Sequence, residues 1–367
     1  MLPVRIKQLR VLHIIDSLIQ AGAEALVKDM LPRMRARGVH VSVAVLKELN
    51  SPFERELREK KIPFLPTGPG GIYSPGHIFT LANNLRGFDL VHLYLFPAQL
   101  FGLLAVSLAG TKIPILLSEG TPLHRRRKRW LHGFDQWMYE RYNSIACASE
   151  GIASSLREWI PGISQKLTVI PNGIDVEHFQ NAMPASRQAL GIRDDRCVLL
   201  YVASFQERKD HGTILRAVAQ VRDTDLVLVG DGELRKGFES DARSLGIAER
   251  VHFLGRRNDI PQLLKMADIY VHAPAFEGFG IATAEAMAAG KPIVASDVPG
   301  LAQVVGDAGI LVPPGNPTAL AAGIKELIAS ESLRLRLSRI ATERATRFGI
   351  ERTVDAYVGL YEMMLAT

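Results

Sequence analysis

The sequence predicts an α/β protein made of two doubly wound, Rossmann-like units that face each other across a cleft. Three observations predict it. Strand-like apolar runs alternate with helical patterns along the whole chain, as in parallel sheets with crossover helices. The length of 367 residues exceeds what one hydrophobic core usually organises. A turn-rich break, Pro171-Asn172-Gly173-Ile174-Asp175, divides two such alternating series.

In the first series strands are expected at 11–16, 39–46, 62–65, 90–95, 114–118, 144–148 and 167–170. A helix over 23–37 follows the first strand, with Ala23, Leu26, Val27, Met30, Leu31 and Met34 marking one apolar face. The uncharged span 90–111 has the length of a membrane helix, but His92, Pro97 and Gln99 interrupt it. It divides into a strand, a turn and a helix at 98–109, since buried parallel strands read as continuous apolar runs. The second series places strands at 197–203, 226–229, 251–254, 269–273, 292–295 and 310–312. A last helix, at 351–366, carries Val354, Tyr357, Val358 and Tyr361 on one stripe that requires a partner surface.

Composition narrows the function class. Hydrophobic residues make up 47% and charged residues 22%, the balance of a soluble globular protein. Cys147 and Cys197 sit in apolar runs and read as buried free thiols of a reducing compartment. Neither has a His or Cys at metal-ligand spacing and there is no His-Glu-x-x-His, so no metal site is expected. No signal peptide is recognised at the start, and a cytoplasmic protein is expected.

The net charge of +6 is uneven: residues 1–172 hold 22 Lys and Arg against 13 Asp and Glu, the rest 22 against 25. The densest basic run is Arg125, Arg126, Arg127, Lys128 and Arg129, followed by Trp130. It reads as a solvated helix start or loop, or as a contact for anionic lipid headgroups or a phosphate-bearing acceptor. The lipid contact would make the protein peripheral on the inner face of a membrane. Nucleic acid is not expected as a partner, since no aromatic-studded sheet or zinc module accompanies the run.

The most informative segment is Glu277-Gly278-Phe279-Gly280-Ile281-Ala282-Thr283-Ala284-Glu285. It follows an apolar strand and opens an Ala-rich helix closed by Gly290, so Glu277 falls on the loop and Glu285 on the helix's second turn. The glycines let the backbone approach a ligand, and the first helical amides favour an anion. A carboxylate on either side suits a nucleotide sugar, with hydroxyls at both ends and phosphate between. An ordinary strand-to-helix loop is the plain alternative. Asp16 leads through Ala21-Gly22-Ala23-Glu24 into the first helix, and Gly-x-Gly-x-x-Gly is absent there. In the second series Ser204 is followed by Arg208 and Lys209, two cations placed to hold a diphosphate and stabilise it as it leaves.

These residues carry a resemblance. The second half is similar to the retaining nucleotide-sugar glycosyltransferases of family four, of GT-B architecture, through Pro171-Asn172-Gly173-Ile174-Asp175, Arg208-Lys209, Leu228-Val229-Gly230-Asp231-Gly232, Phe253-Leu254-Gly255 and the run from Glu277 through Glu285 to Ala295. The first half matches more loosely, through Gly22-Ala23-Glu24 and Val91-His92. The resemblance implies metal-independent transfer of a hexose-type sugar to a hydroxyl-bearing acceptor, which would be a glycan, a lipid-linked or a small molecule, with retention of configuration. No cofactor is implied beyond the nucleotide-sugar donor.

Carried over by residue, Glu277 contacts sugar hydroxyls and Glu285 the ribose hydroxyls. The backbone amides of Phe279, Gly280 and Ile281 meet the sugar or diphosphate, and Arg208 and Lys209 the diphosphate, the leaving phosphate helping to deprotonate the acceptor hydroxyl. Gly22, with Ala23, lets the first unit's loop approach the same phosphate. The implied domains are 1–172 on the acceptor side, with 350–367 packing back on it, and 173–349 for the donor. Two departures stand out. Gly120 occupies the place of an acceptor-side His, for which Glu119 or His124 would substitute, and Ser204 replaces an Arg of the diphosphate loop. They keep open a non-catalytic nucleotide-sugar-binding partner subunit, and a sugar-nucleotide epimerase on the same architecture is the other alternative.

Overall fold

The computed structural model describes residues 9–121 and 128–366. The chain divides between Gly173 and Ile174 into two compact units and returns to the first at Ile350.

The first unit holds seven parallel strands: β1 (Arg10–Ile15), β2 (His40–Val45), β3 (Phe64–Leu65), β4 (Leu90–Tyr94), β5 (Ile115–Glu119), β6 (Ser144–Cys147) and β7 (Leu167–Val169). Their order in the sheet is β3-β2-β1-β4-β5-β6-β7. The central strands are buried on both faces, which is why they are continuous apolar runs in the sequence. The strand expected at 90–95 stops at Tyr94, where Leu95 takes a φ of 56° and turns the chain towards the helix Ala98–Leu108. No helix among the described residues is long and apolar enough to cross a membrane.

The first helix, Gly22–Ala36, buries Leu26, Val27, Met30, Leu31 and Met34. Beside it lies the last helix, Ile350–Ala366, whose Val354, Tyr357, Leu360 and Tyr361 join the same core. Arg33 and Arg37 of the first helix pair with Glu351, and Arg37 also with Asp355. Full burial of such apolar side chains is worth roughly 1.5–3 kcal/mol each, so the stripe outweighs these exposed pairs.

The last helix also completes a buried polar network. His13 and His92 are partners across β1 and β4. Tyr94 Oη lies 2.9 Å from His13 Nδ1, and Tyr361 Oη 2.7 Å from His92 Nδ1. Ser118 Oγ sits 2.7 Å from both His92 Nε2 and Tyr357 Oη. Burial holds both imidazoles neutral, pushing His13 down to about 3 and His92 well below its usual value. Where the chain returns, Thr353 Oγ1 donates to the Pro171 carbonyl at 3.0 Å. A Cβ on Gly173 would lie 2.6 Å from Ile350 Cα, so the return needs glycine there.

The second unit holds β8 (Cys197–Val202), β9 (Thr224–Val229), β10 (Val251–Gly255), β11 (Ile269–His272), β12 (Ile293–Ser296) and β13 (Gly309–Val312), in the order β10-β9-β8-β11-β12-β13. Cys147 is buried as expected, but Cys197 is only partly so. It opens β8 at the amino edge of the sheet, where the core ends.

Candidate functional site

Ligands of open parallel sheets bind beyond the carboxyl ends of the strands, where the strand order reverses. In the second unit that point lies between β8 and β11, and the two loops there carry the residues singled out in the sequence. After β8 the chain passes Ser204 into a 3-10 turn, Glu207–Lys209, and Asp210 then caps the helix His211–Val218 through Thr213 N–H. After β11 it passes Glu277 and Gly278 into the helix Ile281–Ala288. The loops are joined by Ala275 N–H donating to the Arg208 carbonyl at 3.0 Å. Tyr201 Oη donates to the Lys209 carbonyl at 2.7 Å, which fixes the turn over the sheet.

This brings Arg208, Lys209 and Glu277 together. The Lys209 ammonium donates to Glu277 Oε2, with Arg208 Nη1 at 3.9 Å and His272 Nε2 at 3.7 Å from the same oxygen. The Lys209 and Glu277 side chains are 13% and 11% exposed, so the pair is shielded from water. Burial alone would raise the Glu277 carboxyl; Lys209, then His272 and Arg208, outweigh it and hold the group down to about 2. The same burial lowers Lys209 from its usual value, against the pull of Glu277.

Behind Glu277, His272 is buried at the end of β11, its Nδ1 2.6 Å from Thr283 Oγ1. Burial and the neighbouring Lys209 push it down to about 3, so it is neutral.

Gly280 caps the helix Ile281–Ala288 at a φ of 88°, in the left-handed region, with no side-chain cap. Among the described residues no backbone acceptor takes the amides of Phe279, Gly280, Ile281 or Ala282, and such free amides at a helix start attract anions. Phe279 turns its ring inward, edge-on to Phe348 at 5.3 Å, so it offers a ligand only its backbone. Glu285 is half-buried one turn beyond Ile281, on the same face. With burial, its charge raises the Tyr270 phenol on β11. Ser204 is half-buried in the β8 loop.

Three glycines position these loops. A Cβ on Gly230 would lie 2.0 Å from the Ala203 carbonyl oxygen and one on Gly232 2.6 Å from that of Phe205, so the loop after β9 supports the loop after β8. A Cβ on Gly300 would lie 2.3 Å from the Gly278 oxygen and 2.4 Å from that of Glu277. Gly300, His272 and Thr283 are not legible as site residues in the sequence. The one signal for His272 is its place five residues before Glu277, at a strand's end.

The first unit has its own reversal point, between β1 and β4. Asp16 Oδ1 accepts from Ala98 N–H at 2.7 Å there, and burial raises this carboxyl to about 7. Glu24 is also raised to about 7, by burial and then by Asp16. Gly22 and Ala23 open the first helix beside them, Gly22 exposed. Glu119 ends β5 with its carboxylate turned inward, accepting from Tyr139 Oη at 2.7 Å and from Thr121 N–H at 3.3 Å. Gly120 is exposed, and a Cβ there would meet nothing within 4 Å, so the side chain absent at this position would have had room. His124, Arg125, Arg126 and Arg127 lie outside the described residues. Of the basic run that follows, Lys128, Arg129 and Trp130 are exposed, Trp130 at 77%. Among the described residues no group of three His, Cys, Asp or Glu is placed to hold a metal ion.

Comparison with known proteins covers both units. Residues 182–344 match the family "Glycosyl transferases group 1", and residues 21–178 match "Glycosyltransferase Family 4". The chain is 30% identical over 309 residues to the D-inositol 3-phosphate glycosyltransferase of Saccharomonospora viridis, covering 79% of this chain and 68% of that protein. It is 32% identical over 232 residues to the lipopolysaccharide core biosynthesis glycosyltransferase LpsD of Rhizobium meliloti, covering 62% and 66%. Among solved structures it is similar to Anabaena HepE in complex with UDP and glucose, with a TM-score of 0.86 and 23% identity, covering 97% of this chain and 100% of that one.

Proposed function

Because the chain belongs to the group 1, family-four-type glycosyltransferases of GT-B architecture, we propose that it moves a hexose-type sugar from a nucleoside diphosphate to an acceptor hydroxyl, with retention and without a metal. The observation that carries this reading is the shielded Lys209 and Glu277 pair, with the more exposed Arg208 next to it, beside the open amides at the start of the helix Ile281–Ala288. A uridine diphosphate donor is the first choice, since HepE is bound to UDP and glucose. The acceptor would be a glycan, a lipid-linked or a small molecule.

In the reading proposed, the donor's diphosphate takes the place of Glu277 on the two cations and lies against the helical amides. As the bond from the anomeric carbon to phosphate breaks, charge grows on the leaving oxygen, and Arg208 and Lys209 stabilise it. Preorganised groups facing developing charge in a water-excluded site supply several kcal/mol. The acceptor oxygen bonds to the anomeric carbon on the face the phosphate leaves, and its proton passes to the phosphate. Glu277 orients the sugar hydroxyls and Glu285 the ribose.

Glu285→Ala tests the donor assignment. Losing a charged acceptor for ribose hydroxyls costs about 1.5–3 kcal/mol, so calorimetry should show donor affinity falling roughly 10- to 100-fold. Undiminished binding across UDP- and GDP-sugars would sink the assignment. The open position at Gly120 favours one second reading, a non-catalytic nucleotide-sugar-binding subunit. Tight donor binding with no turnover on any acceptor would identify it, and product formed from donor alone would mark an epimerase.

A further inference from the structure

Glu277 is held by cations that, in the function proposed above, must turn to the donor. Lys209 donates to its carboxylate and Arg208 stands 3.9 Å away. A diphosphate that recruits both leaves the carboxylate with the Gly278 N–H, 3.2 Å from Oε1, and no donor among the described residues within hydrogen-bond distance of Oε2, and a shielded charge short of donors is costly. One further polar side chain lies near Oε2 from inside the unit. His272 Nε2 faces Glu277 Oε2 at 3.7 Å and has no hydrogen-bond partner among the described residues. His272 is 1% exposed, so bulk water does not reach it.

The other ring nitrogen fixes what Nε2 can offer. Nδ1 lies 2.6 Å from Thr283 Oγ1, and Thr283 is fully buried. A hydroxyl either donates or accepts, so the contact allows two tautomers. If Nδ1 carried the proton, the Nε2 lone pair would face a carboxylate. If Thr283 donates to Nδ1, Nε2 carries the proton and points it at Glu277, which is electrostatically favoured. Charged and titratable groups around the ring are Lys209, Arg208, His211 and Glu277, with the Tyr201 ring tilted against it at 5.3 Å and the Tyr270 ring edge-on at 6.1 Å. Of these, Glu277 is the carboxylate, with Oε2 3.7 Å from Nε2. Thr283 belongs to the first turn of the helix that carries Glu285, so the chain from Thr283 through His272 to Glu277 links the helix bearing one carboxylate to the loop bearing the other.

We propose that His272, kept as the Nε2–H tautomer by the Thr283 hydroxyl, is the donor that holds Glu277 in its sugar-orienting position once Arg208 and Lys209 engage the diphosphate. A closing of less than about 1 Å brings the 3.7 Å separation within hydrogen-bond range. His272 and Thr283 are then positioning residues that act through Glu277 and do not touch the diphosphate. Their loss should be felt by the sugar and not by the nucleotide.

This rests on the nucleotide-sugar reading, and the test separates the two. Calorimetry would compare UDP with UDP-glucose, and GDP with GDP-mannose, on the wild type, Thr283→Val and Thr283→Ser. Valine matches the shape of threonine without the hydroxyl. The expected result is unchanged affinity for the free diphosphates, about tenfold weaker binding of the sugar conjugate in Thr283→Val, and recovery in Thr283→Ser. The unchanged diphosphate affinity also reports that the variant is folded. Equal losses for diphosphate and conjugate, or no loss for either, overturn the relay and leave the nucleotide-sugar reading standing. A wild type that binds neither member of either pair overturns both. Nitrogen-15 spectra of the free protein give a readout independent of ligand: the His272 proton should sit on Nε2, and a proton found on Nδ1 would refute the proposal.

Discussion

Lys209→Met should lower turnover and folding stability together. In the catalytic role proposed, removing one preorganised charge opposite the leaving diphosphate should reduce turnover by about 10²- to 10³-fold. The stability loss has a separate origin. Glu277 is depressed to about 2 chiefly by Lys209 acting against burial, and a carboxyl shifted down by that much contributes on the order of 3 kcal/mol. Desolvation of Lys209 itself offsets part of this. The contribution is complete above the ordinary carboxyl range and disappears as pH falls through about 2, where the folded protein takes up the proton.

With the ammonium gone, Glu277 keeps the Gly278 N–H at 3.2 Å, and Arg208 and His272 at 3.9 and 3.7 Å, and its carboxyl should titrate higher. Urea melts at neutral pH should therefore show a loss of at most about 3 kcal/mol for Lys209→Met, with less loss when Glu277→Gln is added, because the buried charge is then gone. A double variant no more stable than Lys209→Met, or a single variant with wild-type turnover, would show that the pair does not have this role.

Gly300→Val should impair the same site with no change in its charges. The new side chain would start 2.3 Å from the Gly278 oxygen and 2.4 Å from the Glu277 oxygen, far inside van der Waals contact. Both partners are backbone and cannot rotate away, so the loop bearing Glu277 must shift. Displacement of about 1 Å in a reacting site costs on the order of 10²-fold in rate, and overpacking costs about 1–3 kcal/mol in stability. The control is Gly237→Ala in the helix Arg235–Ser244, where a Cβ meets nothing within 4 Å. That substitution should leave activity unchanged and, by helix propensity, leave the fold no less stable. Donor turnover in Gly300→Val equal to that of the control would refute the positioning role.

These two sites show where sequence reading reaches and where it stops. Glu277, Arg208 and Lys209 were legible because each sits just after a strand, and a buried parallel strand announces itself as an apolar run. The end of the run then locates the loop. Glu285 was legible because the Ala-rich helix sets its distance from Glu277. The central strands and the apolar stripe of the last helix were legible for the same reason.

Gly300 was not, because Pro299-Gly300 has the look of an ordinary turn and its importance lies in a contact with a loop twenty-two residues earlier in the chain. Thr283 is one polar residue among alanines, and its meaning comes from the ring of His272 beneath it. Gly230 and Gly232 read as plain turn chemistry until the carbonyls of Ala203 and Phe205 are seen against them. Cys197 lies in an apolar run, yet its depth depends on the edge of the sheet, which the run does not encode. Local pattern gives each βα unit its shape, whereas the packing of one βα loop on the next is a property of the sheet order.

The return of the chain at Ile350 has a bearing on how the protein is made. Domains emerging from a ribosome generally fold in order of synthesis, but here the sheet that is made first lacks Tyr357, Tyr361 and the rest of its covering helix until residues 350–366 have followed. The second unit is continuous from Ile174 to Gly349 and needs nothing made later. A chain halted before Ile350 should therefore present a protease-resistant second unit and a first unit that is still readily cleaved, its His92 network open where the two tyrosines belong. Equal resistance of both units in such a chain would show that the helix is an addition to a finished core. Assembly that waits for the last segment ties the maturation of the first unit to completion of the second.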